Sequence, residues 1–494
     1  MNRKEFIFKS GIRSASLLFA THTHFLSSKI SKINKRSQNN WATDLEIQID
    51  KLRISQLGNE FIWGVANAAF QVEGATKVDN KLTSIWDDFS QKKGNIKNGD
   101  TAEQATDFYH RYAEDIKLTK ELGFSHFRFS ISWSRVVSED LYTENPLGIN
   151  YYIQFLKEIK AAGLNAWVTI YHWDLPSIIE KQGGWSNRRI IEYFKRFVEI
   201  CANHFGEYTD RWFIVNEPAA FTALGYLSGY HAPGKKNPFA YLKSVHHVCL
   251  SIAEAGRLLR IKCPQKKIGI AYSYSVVHAE EPSDSKAANR VDAFLNRLFV
   301  EPFLGLGYPD QDLPALKRLK NYFEPGDEDR LKFNFDFVGV QYYFRVVVGR
   351  SSWVPFFGGR EIPASKRNVA TNSMLREIYP EGLYNCLMRF KDYGFKDIVV
   401  SENGVCYRDE VNDGQILDSK RIEFFQSHLD QLVRAKSEGV PINGYFVWSL
   451  TDNFEWSEGY SDRFGIVYID YSTQKRIIKN SGYWWQNLLT TPSR

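Results

Sequence analysis

The chain has 494 residues, of which 43% are hydrophobic and 15% aromatic, with 63 Lys and Arg against 57 Asp and Glu, a net charge of +6. That is ample apolar material for a core, and enough length for one barrel with long loops or for two or three average domains. The basic residues are scattered and only denser near the start, which gives no case for nucleic acid as a partner; the five cysteines (Cys201, Cys249, Cys263, Cys386, Cys406) are odd in number and lack CxxC spacing, which argues against a disulfide scaffold and against a zinc site.

Taken in chain order, the amino terminus comes first. Asn2-Arg3-Lys4-Glu5-Phe6-Ile7-Phe8-Lys9 resembles a twin-arginine export signal with Lys in place of the second Arg, and a mildly apolar stretch at 14–20 follows it. The stretch is too short to span a bilayer. Arg13 interrupts its start, and no clear A-x-A cleavage site follows. Residues 1–27 are expected to be an export signal to the periplasm or beyond, the alternative being a cytoplasmic protein with a basic tail. Residues 28–50, rich in Ser, Lys and Asn, read as a linker. The remaining 51–494 are expected to form one catalytic barrel.

From residue 60 onward, β-type runs alternate with helical patterns, the signature of a parallel sheet. The expected strands are 61–66, 127–132, 166–171, 212–216, 268–272, 335–342, 398–401 and 444–450, with helices expected at 107–122, 187–205 and 419–437. Eight such units without an internal break predict an α/β fold, a single (β/α)8 TIM barrel with long βα loops. Active sites of these barrels sit at the C-terminal strand ends. There the sequence places His172-Trp173-Asp174, Asn216-Glu217, Tyr342-Tyr343 and Glu402, while Trp448 lies in the eighth run. Buried polar groups at these ends are costly unless satisfied or used. Two glutamates, Glu217 and Glu402, at two strand ends are the equipment of a glycosidase, in which one carboxyl protonates a leaving oxygen and the other attacks the sugar.

The ordered motifs Phe61-Ile62-Trp63-Gly64-Val65-Ala66, Gln71-Val72-Glu73-Gly74-Ala75 and Phe127-Arg128-Phe129-Ser130 continue through Tyr171-His172-Trp173-Asp174, Asn216-Glu217-Pro218 and Tyr342-Tyr343. Glu402-Asn403-Gly404 and Thr451-Asp452-Asn453-Phe454-Glu455-Trp456 complete the set. With these the sequence resembles glycoside hydrolase family 1, the β-glucosidase family, from about Leu57 to Leu489. The resemblance implies a retaining mechanism with Glu402 as nucleophile and Glu217 as acid/base. Arg128 and Tyr343 would support the nucleophile, and Asn216 would bind the sugar 2-hydroxyl. Gln71, His172, Glu455 and Trp456 would hold the remaining hydroxyls, with Trp448 as the platform beneath the ring. No cofactor and no metal is implied. The expected partner is a small β-glycoside or oligosaccharide, with no integral membrane span. The implied activity is an exo-β-glycosidase releasing terminal glucose, with galactose and fucose left open. A transglycosylase using the same intermediate and a catalytically silent carbohydrate-binding barrel are the alternatives. Glu455 and Asp462 argue for an unphosphorylated sugar, because carboxylates repel a sugar phosphate.

Two local features stand apart. Gln341 occupies the place before the paired tyrosines where the family usually has Asn, and its extra methylene near the catalytic carboxyls is expected either to shift a hydrogen bond and retune Glu217 or simply to replace Asn. An insertion at about 351–373, with Trp353, Phe356 and Phe357, is expected to lie over the aglycone side, either as an aromatic rim or as a surface lid fragment.

Overall fold

The computed structural model describes residues 50–490 except 52, 353 and 355. The expected export signal, nearly all of the linker and Trp353 of the insertion lie outside the described residues.

Eight parallel strands close into a barrel: β1 (Ile62–Ala66), β2 (His126–Ser130), β3 (Asn165–Tyr171), β4 (Arg211–Asn216), β5 (Lys267–Ser273), β6 (Phe337–Gln341), β7 (Ile398–Asn403) and β8 (Ile442–Trp448). They pair in chain order, with β8 closing on β1. Each expected run becomes a strand, its ends shifted by at most two residues. Short apolar runs of this kind are buried on both faces in a parallel barrel, so alternation is absent and continuous burial takes its place. In β3 all residues after Asn165 are buried.

Amphipathic helices coat the outside. Ile190–Phe205 carries Ile190, Phe194, Phe197, Val198 and Cys201 into the core, the i, i+3, i+4, i+7 stripe that binds a helix to a sheet. Pro238–Lys262 starts with Pro at its first turn and an Asn237 side chain that accepts from the backbone N–H groups of Phe239 and Ala240. Ser419–Ser437 spans the expected residues. The C-terminal helix Asn480–Thr490 places Trp485 against Trp63 of β1 and Tyr445 of β8, with ring centroids 5.7 and 6.0 Å apart, at the seam where the barrel closes. Asp50 accepts from Gln426 and Trp484 Nε1 and so ties the segment before β1 to these last two helices.

Inside the barrel, Trp167, Phe213, Phe337 and Phe446 form an aromatic plug with centroid separations of 4.8–5.9 Å. Strand glycines make room for these rings. A Cβ at Gly64 would come within 2.4 Å of the Phe446 ring, and one at Gly339 within 2.6 Å of Phe213. The plug is the floor of the site, because the Arg128 guanidinium lies 4.6 Å over the face of Phe213.

The insertion is better anchored than a rim or a free lid would require. Gly359–Glu361 pairs antiparallel with Val346–Arg350, which pairs in turn with Val277–Ala279. Phe357 is 3% exposed and packs edge-on to Phe294 at 5.1 Å, and Phe356 is half-buried against the core. The expected aromatic rim is therefore corrected for Phe357. Strand pairing of the residues just after it turns its side chain inward, where burying the ring is more favourable than exposing it. All five cysteines are buried and unbridged.

Candidate active site

The C-terminal mouth of the barrel brings Glu402, Arg128, Asn216, His172, Gln341 and Tyr343 into one hydrogen-bonded group, with Glu217 beside it, close enough to feel the charge of Glu402. Two local irregularities aim the carboxylates. The β4–β5 register shifts between Phe213 and Asn216, and the β6–β7 register shifts between Val400 and Glu402. Such bulges re-aim side chains at barrel rims. Glu217 itself adopts a left-handed backbone (φ 45°), with its N–H on Ala271 O at 2.9 Å, and Pro218 immediately opens a helix. Trp173 (φ 82°) and Trp456 (φ 49°) are also left-handed. Three non-glycine residues in this conformation within one cleft mark stored backbone strain held by surrounding packing.

Glu402 is 3% exposed and fully ligated. Its Oε1 accepts from Arg128 Nη1 at 2.5 Å and Gln341 Nε2 at 2.6 Å, and its Oε2 accepts from Tyr343 Oη at 2.7 Å. Burial pushes its carboxyl above the ordinary range, and Arg128 and Tyr343 pull it back towards the ionised form. Glu217 has no such cation in contact. Burial first, and then the charge of Glu402, push it to about 8, with a hydrogen bond from Ser273 opposing. Burial raises both carboxyls, but only Glu402 has a cation and a phenol donor that favour its ionised form, while Glu217 keeps its proton near neutrality.

Asn216 Oδ1 accepts from Arg128 Nη2 at 2.6 Å and Gln341 Nε2 at 2.7 Å, so its Nδ2 is the end that faces His172 Nε2, at 3.1 Å. Burial and the neighbouring Arg128 keep His172 neutral. With Nε2 accepting, Nδ1 carries the hydrogen, and it has no protein partner. Gln71 is fully buried. Its Nε2 donates to Asn453 Oδ1 and Phe454 O, both at 3.0 Å, and its Oε1 has no protein partner. One buried donor and one buried acceptor are the pairing that sugar hydroxyls satisfy.

Trp448 lies 6.0 Å from His172 in near-parallel orientation, and Trp456 stacks 4.6 Å from Trp173 and 6.0 Å from His172. Glu455 lies 3.4 Å from Gln71 Nε2. Burial and then Asp462 and Glu458 raise its carboxyl well above the usual range. Lys97 faces this acidic side, 3.3 Å from Glu458 and 3.5 Å from Asp462.

All ten candidate residues lie on or just after barrel strands at this mouth. Reasoning from the sequence missed Ser273, which reaches Glu217, and Asn453, which holds Gln71. Ser273 is the last residue of β5, the one strand end to which no site residue was assigned, so its position was the available signal. The expectation that Gln341 retunes Glu217 is corrected: strand register sets it beside Glu402, and its amide bonds that carboxylate. Among the described residues no group of three His, Cys, Asp or Glu could hold a metal ion, and no helix is long and apolar enough to cross a membrane.

Residues 54–493 match the model of Glycosyl hydrolase family 1. A beta-glucosidase A of Thermotoga maritima is 38% identical over 89% of this chain and 98% of its own length. A 1,4-beta-D-glucan glucohydrolase of Thermotoga neapolitana is 38% identical over 87% and 97%. Among solved structures, a beta-glucosidase from Thermotoga maritima in complex with deoxynojirimycin superposes with a TM-score of 0.82 at 37% identity, covering 87% of this chain and 98% of that one.

Proposed function

The chain belongs to glycosyl hydrolase family 1, and from that premise we propose that it is a retaining exo-β-glycosidase, a β-glucosidase releasing terminal non-reducing β-D-glucose by double displacement. The beta-glucosidase and glucan glucohydrolase names of its relatives support the glycone. The observation that carries the mechanism is the division of the two carboxyls, with Glu402 ligated by a cation and two neutral donors while Glu217 is pushed to about 8.

In this reading Glu402 attacks the anomeric carbon while Glu217 gives its proton to the glycosidic oxygen, so the aglycone leaves as a neutral alcohol. The glycosyl ester neutralises Glu402. Its repulsion on Glu217 disappears, and Glu217, now ionised, takes a proton from water as the water attacks. The second inversion restores the β configuration. Asn216 Nδ2 is placed for the 2-hydroxyl, whose hydrogen bonds strengthen in the oxocarbenium-like transition state. His172 Nδ1–H and Gln71 Oε1 supply a donor and an acceptor for further hydroxyls, with Glu455 beside them and Trp448 as the apolar face beneath the ring.

Hydrolysis of p-nitrophenyl β-glucoside, β-galactoside, β-fucoside and β-mannoside, with Glu402→Ala alongside, tests this. Release that the substitution abolishes is expected, with glucoside first in rank. No release from any of the four by folded protein would overturn the reading. Export of the chain is the second part of the proposal and rests on the Arg3-Lys4 pattern and the apolar stretch behind it. Full-length protein recovered uncleaved and wholly in the cytoplasmic fraction would overturn that part.

A further inference from the structure

One buried amide at the centre of the site has no part in the steps above. Gln341, the last residue of β6, is 0% exposed and stands in register with Glu402 of β7 on one side and Ser273 of β5 on the other. Its Nε2 has two hydrogens and two acceptors: Glu402 Oε1 at 2.6 Å and Asn216 Oδ1 at 2.7 Å. Arg128 reaches the same two oxygens with Nη1 and Nη2. The two side chains therefore clamp the carboxylate and the asparagine together from two sides. Rotating the Gln341 amide by half a turn would set its carbonyl against both acceptors, so its orientation is fixed by electrostatics. The same holds one step on. With two donors on Asn216 Oδ1, only Nδ2 can face His172 and the sugar. The Gln341 Oε1 atom, meanwhile, is buried without a partner. An amide that leaves one of its own groups unsatisfied to hold two others has been placed for what it holds. The neighbouring strand completes a division of labour: Ser273 addresses Glu217, and Gln341 addresses Glu402.

We propose that Gln341 is a positioning residue that couples the nucleophile to the 2-hydroxyl subsite, aiming Glu402 and locking Asn216 in its sugar-facing orientation through one amide group. The proposal rests on the β-glucosidase reading of the site. The length of the side chain matters. An asparagine in the same backbone position is one methylene shorter, and it cannot keep both contacts without moving β6 towards β7 or β4.

The test compares the unmodified protein with Gln341→Met and Gln341→Asn, on p-nitrophenyl β-glucoside and its 2-deoxy analogue, across pH 4–9. The groups facing Glu402 are Arg128 on β2, Glu217 at the end of β4, Tyr343 after β6 and Glu455 after β8, and none of them is altered. Met fills the same space without donors. It is expected to lower kcat/KM for the glucoside by roughly 10- to 100-fold, the worth of a hydrogen bond to a charged group, with the loss in kcat. The acidic limb should move up, because a donor that favours the carboxylate is gone. The preference for glucoside over 2-deoxyglucoside should shrink by roughly tenfold, because a loosened Asn216 no longer rewards the 2-hydroxyl. Asn is expected to fall between the two in every readout, and it carries the test if the Met variant does not fold. Equal losses on both substrates with an unmoved acidic limb, in folded variants, would overturn the proposal, since a purely structural role predicts that pattern. An inactive unmodified protein would overturn the β-glucosidase reading, and this inference with it.

Discussion

Neutralising Glu402 should release the proton of Glu217. At the roughly 5.5 Å carboxyl separation of retaining sites, and an effective dielectric constant of about 20, one carboxylate destabilises ionisation of the other by about 3 kcal/mol. That is roughly a hundredfold in proton affinity. Glu217 stands at about 8 through burial first and Glu402 second. In Glu402→Gln the second cause vanishes while burial remains, so Glu217 should titrate near ~6, still above an ordinary glutamate. Arg128, left without its carboxylate, pulls in the same direction. The variant lacks its nucleophile, so the titration is followed by 13C NMR of labelled glutamate carboxyls rather than by rate, in the unmodified protein and in the variant. A trapped 2-fluoroglycosyl-enzyme, in which Glu402 is esterified, should give the same lowered value. If Glu217 titrates at the same pH in all three, the charge of Glu402 does not hold its proton, and the self-cycling of the pair is wrong.

Three further expectations follow from neighbouring residues. Ser273→Ala removes a hydrogen bond that favours ionised Glu217. Activity requires Glu217 protonated, so the basic limb of kcat/KM should move upward by up to about one pH unit; a downward move would refute the assignment. Gly339→Ala places a methyl 2.5 Å from Ser401 Oγ and 2.6 Å from the Phe213 ring. Denaturant titration should show a loss of about 1–3 kcal/mol from overpacking, and an unchanged midpoint would mean that the barrel floor relaxes freely. A 6-phospho-β-glucoside brings a dianion towards the carboxylates of Glu458 and Asp462, which Lys97 faces. Its kcat/KM should be at least ~100-fold below that of the plain glucoside, since like-charge juxtaposition costs several kcal/mol; preference for the phosphorylated sugar would overturn this.

The eight strands were legible because a parallel barrel buries both faces of each one. Runs such as Trp212–Val215 and Ile398–Val400 are apolar without interruption, and the change from these runs to a period of 3.6 in segments such as 419–437 announces the helices between them. The two glutamates and most of their companions were legible for a related reason: polar residues directly after a buried run stand at the rim, and their identities form ordered motifs along one chain. The tertiary structure alone decided contacts between residues distant in sequence. Gln341 lies 61 residues from Glu402 and 125 from Asn216, and only strand register and the bulge before Glu402 bring one amide onto both. Ser273 became a partner of Glu217 in the same way, through the pairing of β4 with β5. Phe357 looked like a rim residue because an insertion rich in Gly and aromatics carries no period, and the antiparallel pairing of the segment just after it, Gly359–Glu361, sets the ring into the core. Local pattern records which face of an element is apolar; which neighbour that face meets is fixed by closure of the barrel.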